Sequence, residues 1–156
     1  MGASPINPSP STAAAPVVSF GPNKDYLSFS GLINEVITPV SYANAGANTL
    51  LVTDVLGGFI THTAAGAETD TLPSASLLVP QIQGAQVGSA IFFYVKAGGA
   101  GAITVAVGAG GTAEAGDTLT IATTLVRLFM LIVTSLPDAN GNGAAYKLYS
   151  LGASAF

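Results

Sequence analysis

From about residue 26 onward the sequence is a succession of short β-branched and aromatic runs separated by Gly-, Pro- and Asn-rich turns. No part of it has the length or the 3.6-residue periodicity of a long helix. That pattern restricts the chain to an all-β architecture. The clearest runs are residues 90–96 (AIFFYVK), 102–107 (AITVAV), 118–121, 125–134 and 145–151. Weaker ones cover residues 32–40, with Pro39 suggesting an edge or a bulge, 49–52, and 55–63, where Gly57-Gly58 marks a bend. Residues 74–82 follow Pro73 and suit one or two helical turns, which Pro80 keeps short. The Gly-rich residues 97–101 read as a hairpin-type loop between two strands. No fixed period appears in the Gly- and Ala-rich stretch that follows, so it reads as turns around a strand rather than a solenoid. Strands at this spacing predict a β-sandwich or a jelly-roll-like domain over residues 26–156.

Residues 1–25 differ from the rest. Pro5, Pro8, Pro10, Pro16 and Pro22 fix φ and remove backbone donors, which disfavours both helix and central strand. An extended Pro-rich N-terminal arm is therefore expected, reaching toward a neighbouring subunit. Val17, Val18 and Phe20 are its candidate anchors for a partner.

Charge is the compositional fact that bears on function. Hydrophobic residues make up 49% of the 156, an ordinary share, but charged residues only 8%, against about 25% in a typical soluble domain. A lone monomer with so little surface charge is prone to associate. The expectation is a surface normally covered by partners, hence an oligomer or a lattice component. Disorder is disfavoured because mean hydropathy is positive. Lys24, Lys96, Arg127 and Lys147 are scattered, too few to neutralise a run of phosphates, so no nucleic-acid partner is expected. The start of the chain lacks the basic and apolar regions of a secretory signal, and residues 125–133 fall short of the about 20 needed to cross a membrane. A soluble protein made in a cytoplasm, with no membrane partner, is the corresponding expectation.

Motifs for chemistry are scarce. With no cysteine, disulfides, thiolate nucleophiles and zinc–thiolate sites are excluded. His62 is the single histidine; Asp54 or Asp70 might orient it in a hydrolase, but no G-x-S-x-G accompanies it. One histidine also makes a transition-metal site improbable. Glu68 with Asp70, and Glu114 with Asp117, read as solvated loop charges rather than a Ca²⁺ loop or a glycosidase pair. The glycine clusters match neither a Walker A loop nor a dinucleotide-binding turn. The Thr61/Thr63 and Thr69/Thr71 pairs are too few for a repeated Thr surface. Neither enzyme activity nor a cofactor is expected. The aromatic residues Tyr26, Phe29, Phe59, Phe92, Phe93, Tyr94, Phe129, Tyr146 and Tyr149 read as core and interface anchors.

Several segments together carry a resemblance: Leu56-Gly57-Gly58-Phe59-Ile60, Thr71-Leu72-Pro73-Ser74-Ala75, Ala85-Gln86-Val87-Gly88-Ser89, Phe92-Phe93-Tyr94-Val95, Ile103-Thr104-Val105 and Tyr146-Lys147-Leu148-Tyr149. From Thr49 to Gly152 the chain resembles a β-rich module that recurs in tailed-phage structural proteins, including capsid-decoration and head-fibre-like proteins. The resemblance implies a compact β domain, a homotrimer, exposed on the capsid surface of a virion. The implied role is a decoration or cement protein whose partner is the major capsid protein. A spike or fibre protein and a small coat protein are the alternatives. Ala- and Gly-rich loops disfavour the first, and a net charge of −4 disfavours the second.

Overall fold

The computed structural model describes residues 37–43 and 46–155. They belong to the second of two units, Val36–Phe156, into which the chain divides after Met1–Glu35. The expected arm, its anchors Val17, Val18 and Phe20, and most of the run at residues 32–40 lie outside the described residues.

Two sheets share one core. The larger contains β1 (Val40–Tyr42), β3 (Phe59–His62), β5 (Ala90–Ala97), β9 (Leu125–Ser135), β10 (Ala145–Ala155) and β7 (Gly111–Ala113), side by side in that order. The smaller is formed by β2 (Asn48–Thr49), β4 (Glu68–Thr71), β6 (Ile103–Ala106) and β8 (Thr120–Ile121). Up to β9 the chain alternates strictly between the two sheets. Each excursion through the small sheet returns it to the large one beside the strand it left. Neighbours therefore run parallel without the helical crossover that parallel strands usually require.

Five ladders are accordingly parallel, β1–β3, β3–β5, β2–β4, β4–β6 and β7–β10, and three are antiparallel, β5–β9, β9–β10 and β6–β8. The all-β expectation holds at the level of a strand-rich fold. A jelly roll is built from antiparallel pairs, and this winding departs from that pattern.

Glycine explains how successive windings stack. The loop at residues 97–102 does not close a hairpin, as its sequence predicts. It leads from the large sheet to the small one and lies directly on the loop above it. A Cβ on Gly99 would sit 2.1 Å from the Ala64 carbonyl oxygen, and one on Gly101 would sit 1.7 Å from that of Gly66. The Gly101 N–H donates to Ala64 O, and the Glu68 N–H to Ala102 O, closing the stack. Only glycine permits backbones to approach this closely.

Two short helices interrupt the winding. Helix α1 (Val52–Leu56) replaces the first half of the strand expected at residues 55–63, and Gly57-Gly58 ends it rather than bending a strand. Its Asp54 carboxylate reaches back to accept the Leu51 N–H at 2.7 Å, satisfying one of the donors that a helix start leaves open. Helix α2 (Ala75–Leu78) and the 3₁₀ turn Val79–Gln81 occupy the expected helical segment after Pro73.

The core is apolar and aromatic at its centre. Phe93 and Phe129, cross-strand neighbours on β5 and β9, stack with ring centroids 5.5 Å apart. Ile103, Val105 and Ile121 face them from the small sheet. Tyr146 is fully buried on β10, and its hydroxyl donates to Pro73 O (3.0 Å) while accepting the Gly108 N–H (2.9 Å). Burial raises the phenol's pKa, so the hydroxyl keeps the proton that it donates.

Candidate functional site

Three places carry side chains that a simple core does not need: a buried polar corner, the outer face of the large sheet, and a cleft beside the helices.

The polar corner contains the single histidine. In the windings, Tyr42 stacks on His62 and Asn48 on Asp70, because β1 pairs with β3 and β2 with β4 in those registers. His62 and Asp70 then face each other across the two sheets. His62 Nδ1 lies 3.0–3.1 Å from the two carboxylate oxygens of Asp70. Asp70 accepts a further hydrogen bond from the Asn48 amide at 3.0 Å. Beside them, the Tyr42 hydroxyl donates to Asp54 at 2.5 Å, on the same carboxylate oxygen that accepts the Leu51 N–H. Desolvation, then the hydrogen bond to Asp54, then the charges of Asp54 and Asp70 push the Tyr42 pKa up to about 12.

The sequence pairs His62 with Asp54 or Asp70, and the structure selects Asp70. Asp70 itself was expected in a solvated loop. It is instead wholly buried in β4, because parallel pairing with β6 turns alternate residues of Glu-Thr-Asp-Thr inward. The side chains of His62 and Asp70 have no exposed surface, so a substrate does not touch them in this fold. The arrangement binds the two sheets together through satisfied polar groups. Of the other expected loop charges, Glu114 pairs with Lys147. Asp117 accepts the Ser150 N–H at 2.6 Å. Among the described residues no three His, Asp or Glu side chains converge as a metal ion requires.

The outer face of the large sheet is the more distinctive surface. Register aligns its side chains in rows. Phe92, Met130 and Tyr149 form one row across β5, β9 and β10. Phe59, Tyr94 and Leu128 form the next, across β3, β5 and β9, with the Phe59 and Tyr94 rings 6.0 Å apart. Ile132 extends the apolar area on one side. Charge appears only beyond these rows: Lys147 is opposite Ile132 at one end, and Lys96 is opposite Val126 at the other. Phe92 is 50% exposed and Tyr94 40%. An apolar centre with charge at its borders is the anatomy of a protein interface. The aromatic residues thus divide by strand alternation: Phe93, Phe129 and Tyr146 go to the core, and Phe59, Phe92, Tyr94 and Tyr149 to this face. Tyr26 and Phe29 lie outside the described residues.

The cleft lies at the ends of β2 and β4, between α1 and α2, with a volume of about 690 Å³. Leu50, Leu72, Pro73 and Gly108 are among its lining residues, and Leu51, Leu56 and Leu77 stand exposed around it. No charged residue lines it. Pro73 and Gly108 are the two residues that the Tyr146 hydroxyl ties together, so this wall of the cleft is held from behind. Nothing in the sequence pattern marks the cleft. It arises because α1 replaces an expected strand.

Compared with known proteins, the chain matches no family model, no curated protein and no solved structure. No helix among the described residues is long and apolar enough to cross a membrane.

Proposed function

We propose that the protein is a structural component of a phage particle, a decoration or cement protein that stabilises the capsid by packing on and between major capsid subunits. The observation that carries this reading is the outer face of the large sheet: two adjacent rows of apolar side chains, uncharged between Lys96 and Lys147, on a chain with 8% charged residues. Contiguous apolar surface of this extent marks an interaction site. The resemblance to tailed-phage modules supplies the kind of partner. A sandwich-like block with two sheets on one core supports the reading, being stiff enough to bridge neighbouring subunits.

The mechanism is mechanical. Each copy adds apolar contact at a joint of the shell, with specific interfaces burying about 1,600 Å². Many such contacts, engaged together, hold the shell by avidity without requiring a very tight individual bond. Grouping of copies as a homotrimer and residence on the capsid surface belong to the same proposal.

Immunogold electron microscopy tests it. An antibody raised against the purified protein is applied to tailed-phage particles from the source of the sequence. Gold distributed over the heads is expected. Gold confined to a tail tip would move the protein to the fibre class, and particles without gold would remove the virion reading altogether.

A further inference from the structure

Nine large apolar side chains stand exposed among the described residues, and five of them fall on two surfaces: Phe92 and Tyr94 on the sheet face, and Leu51, Leu56 and Leu77 around the cleft. The two surfaces share no residue, because no strand of the large sheet lines the cleft. We propose that they are the two halves of one contact: the outer sheet face of one copy seats on the cleft of a second copy, with Phe92 or Tyr94 entering it. The inference rests on the assembly reading for its premise that the protein works in contact with partners, and it names one such partner as this same chain.

Shape supports the match. The sheet face projects two aromatic rings, 50% and 40% exposed, from an otherwise flat surface, while the cleft is concave, at about 690 Å³. Sites that enclose a compact apolar group have volumes of roughly 300–1,000 Å³, and interface hot spots are typically aromatic anchors seated in such pockets. Chemistry supports it too. Neither the cleft lining nor the two central rows of the face contains a charge, so joining them strands no buried ion. The area is also of the right order. Four strands about 4.8 Å apart and four rows about 7 Å apart give roughly 500 Å² in projection. Upright side chains enlarge that toward the ~800 Å² of accessible surface that each partner contributes to a stable pair. The hydrogen bonds of Tyr146 to Pro73 and Gly108 hold one wall of the cleft before any partner arrives, which lowers the ordering cost of binding.

Because the two surfaces differ, the contact is heterologous. Each copy offers a face to one neighbour and a cleft to another, so the contact repeats until a ring closes. A closed ring of three leaves no face and no cleft uncovered, and it accounts for an apolar surface on a chain with few charges.

Two exposed positions test the inference without disturbing the core: Phe92→Lys on the face and Leu77→Lys at the cleft, where Leu77 is 63% exposed. Near-ultraviolet circular dichroism checks that each variant keeps the native fold, and light scattering behind size exclusion gives the mass. The unaltered chain is expected at a multiple of 15.4 kDa and each variant at 15.4 kDa. An equimolar mixture of the two variants is expected to recover a two-chain species, since F92K keeps an intact cleft and L77K an intact face. A monomeric unaltered chain overturns the proposal. So does a mixture that stays monomeric, and so does L77K at the unaltered mass while F92K is monomeric, which would mean face-to-face pairing. None of these results bears on gold labelling of phage heads, so the shell reading and this one fail separately.

Discussion

The two faces of the large sheet are made from the same three central strands and are almost equally apolar, yet they meet different surroundings. On β5 and β9, Phe93, Val95, Phe129, Leu131 and Val133 turn inward and are covered by the small sheet. Between them, Phe92, Tyr94, Leu128, Met130 and Ile132 turn outward and remain exposed or half-buried. Ordinary antiparallel strands at a protein surface alternate apolar with polar, whereas strands covered on both sides read as continuous apolar runs. Residues 125–133 read in the second way while the fold covers them in the first. The difference points to a second cover supplied from outside the domain.

The sharpest way to break that comparison is to truncate neighbours on β9. Phe129→Ala opens a cavity against the stacked Phe93 ring and should cost about 3–5 kcal/mol. Met130→Ala, one residue along and facing out, should cost about 0.5 kcal/mol at low protein concentration. Urea unfolding monitored by tyrosine fluorescence measures both. If the outer face is an interface between copies, the Met130→Ala effect grows with protein concentration, because association stabilises only the folded chain. Equal costs for the two substitutions would mean that both faces are core.

The inner face is itself divided, and its polar corner gives the next effect in size. Asp70→Ala removes the acceptor of both His62 and Asn48. Breaking a buried pair by deleting one partner typically costs about 3–5 kcal/mol. The low end, about 3 kcal/mol, is expected here because Asn48 at the margin is only half-buried and admits water to the vacated side. The same urea titration measures it. A cost under about 1 kcal/mol would show that the corner contributes little to holding the sheets together.

How far the sequence anticipates this molecule depends on which physical signal each part leaves. Strands β5, β6, β9 and β10 are legible because β-branched and aromatic runs have no competing conformation. Their partners are not: with both faces of β5 and β9 apolar, alternation does not reveal which side is inside, and nothing local distinguishes a hairpin from a crossing to the other sheet. Gly99 and Gly101 look like turn glycines, and the reason for them is a loop more than thirty residues earlier in the chain. Strand β4 was hidden by composition, since Glu-Thr-Asp-Thr has little β preference. A signal was nevertheless present. Thr61-His62-Thr63 and Thr69-Asp70-Thr71 share one alternation, and the pattern that looked like a chance pair of Thr-x-Thr steps is two strands turning His and Asp toward each other. The outer sheet face was legible only as a sum, through scarce charge and abundant aromatics. Its rows required the register.

The smallest effect, and the most specific to the polar corner, appears at alkaline pH. Tyr42 has its pKa pushed from 10.0 up to about 12. In the unfolded chain the phenol ionises first, near 10. Between that pH and about 12 the unfolded state therefore binds fewer protons than the folded state. Stability then declines as pH rises, and it is unaffected below the unfolded value. The cause is physical: an ionised Tyr42 has no proton to donate to Asp54 and would stand as a second negative charge beside it. Tyr146 and Lys147, whose pKa values are also raised, add decline of the same sign. Tyr42→Phe should therefore lower stability at neutral pH, by loss of the hydrogen bond, yet flatten the alkaline decline in part. Urea midpoints measured at pH about 9, 10 and 11 separate level from slope. An unchanged slope in the variant would mean that the Tyr42 phenol ionises as readily folded as unfolded, and that the polar corner is open to water where the inner face of the sheet is not.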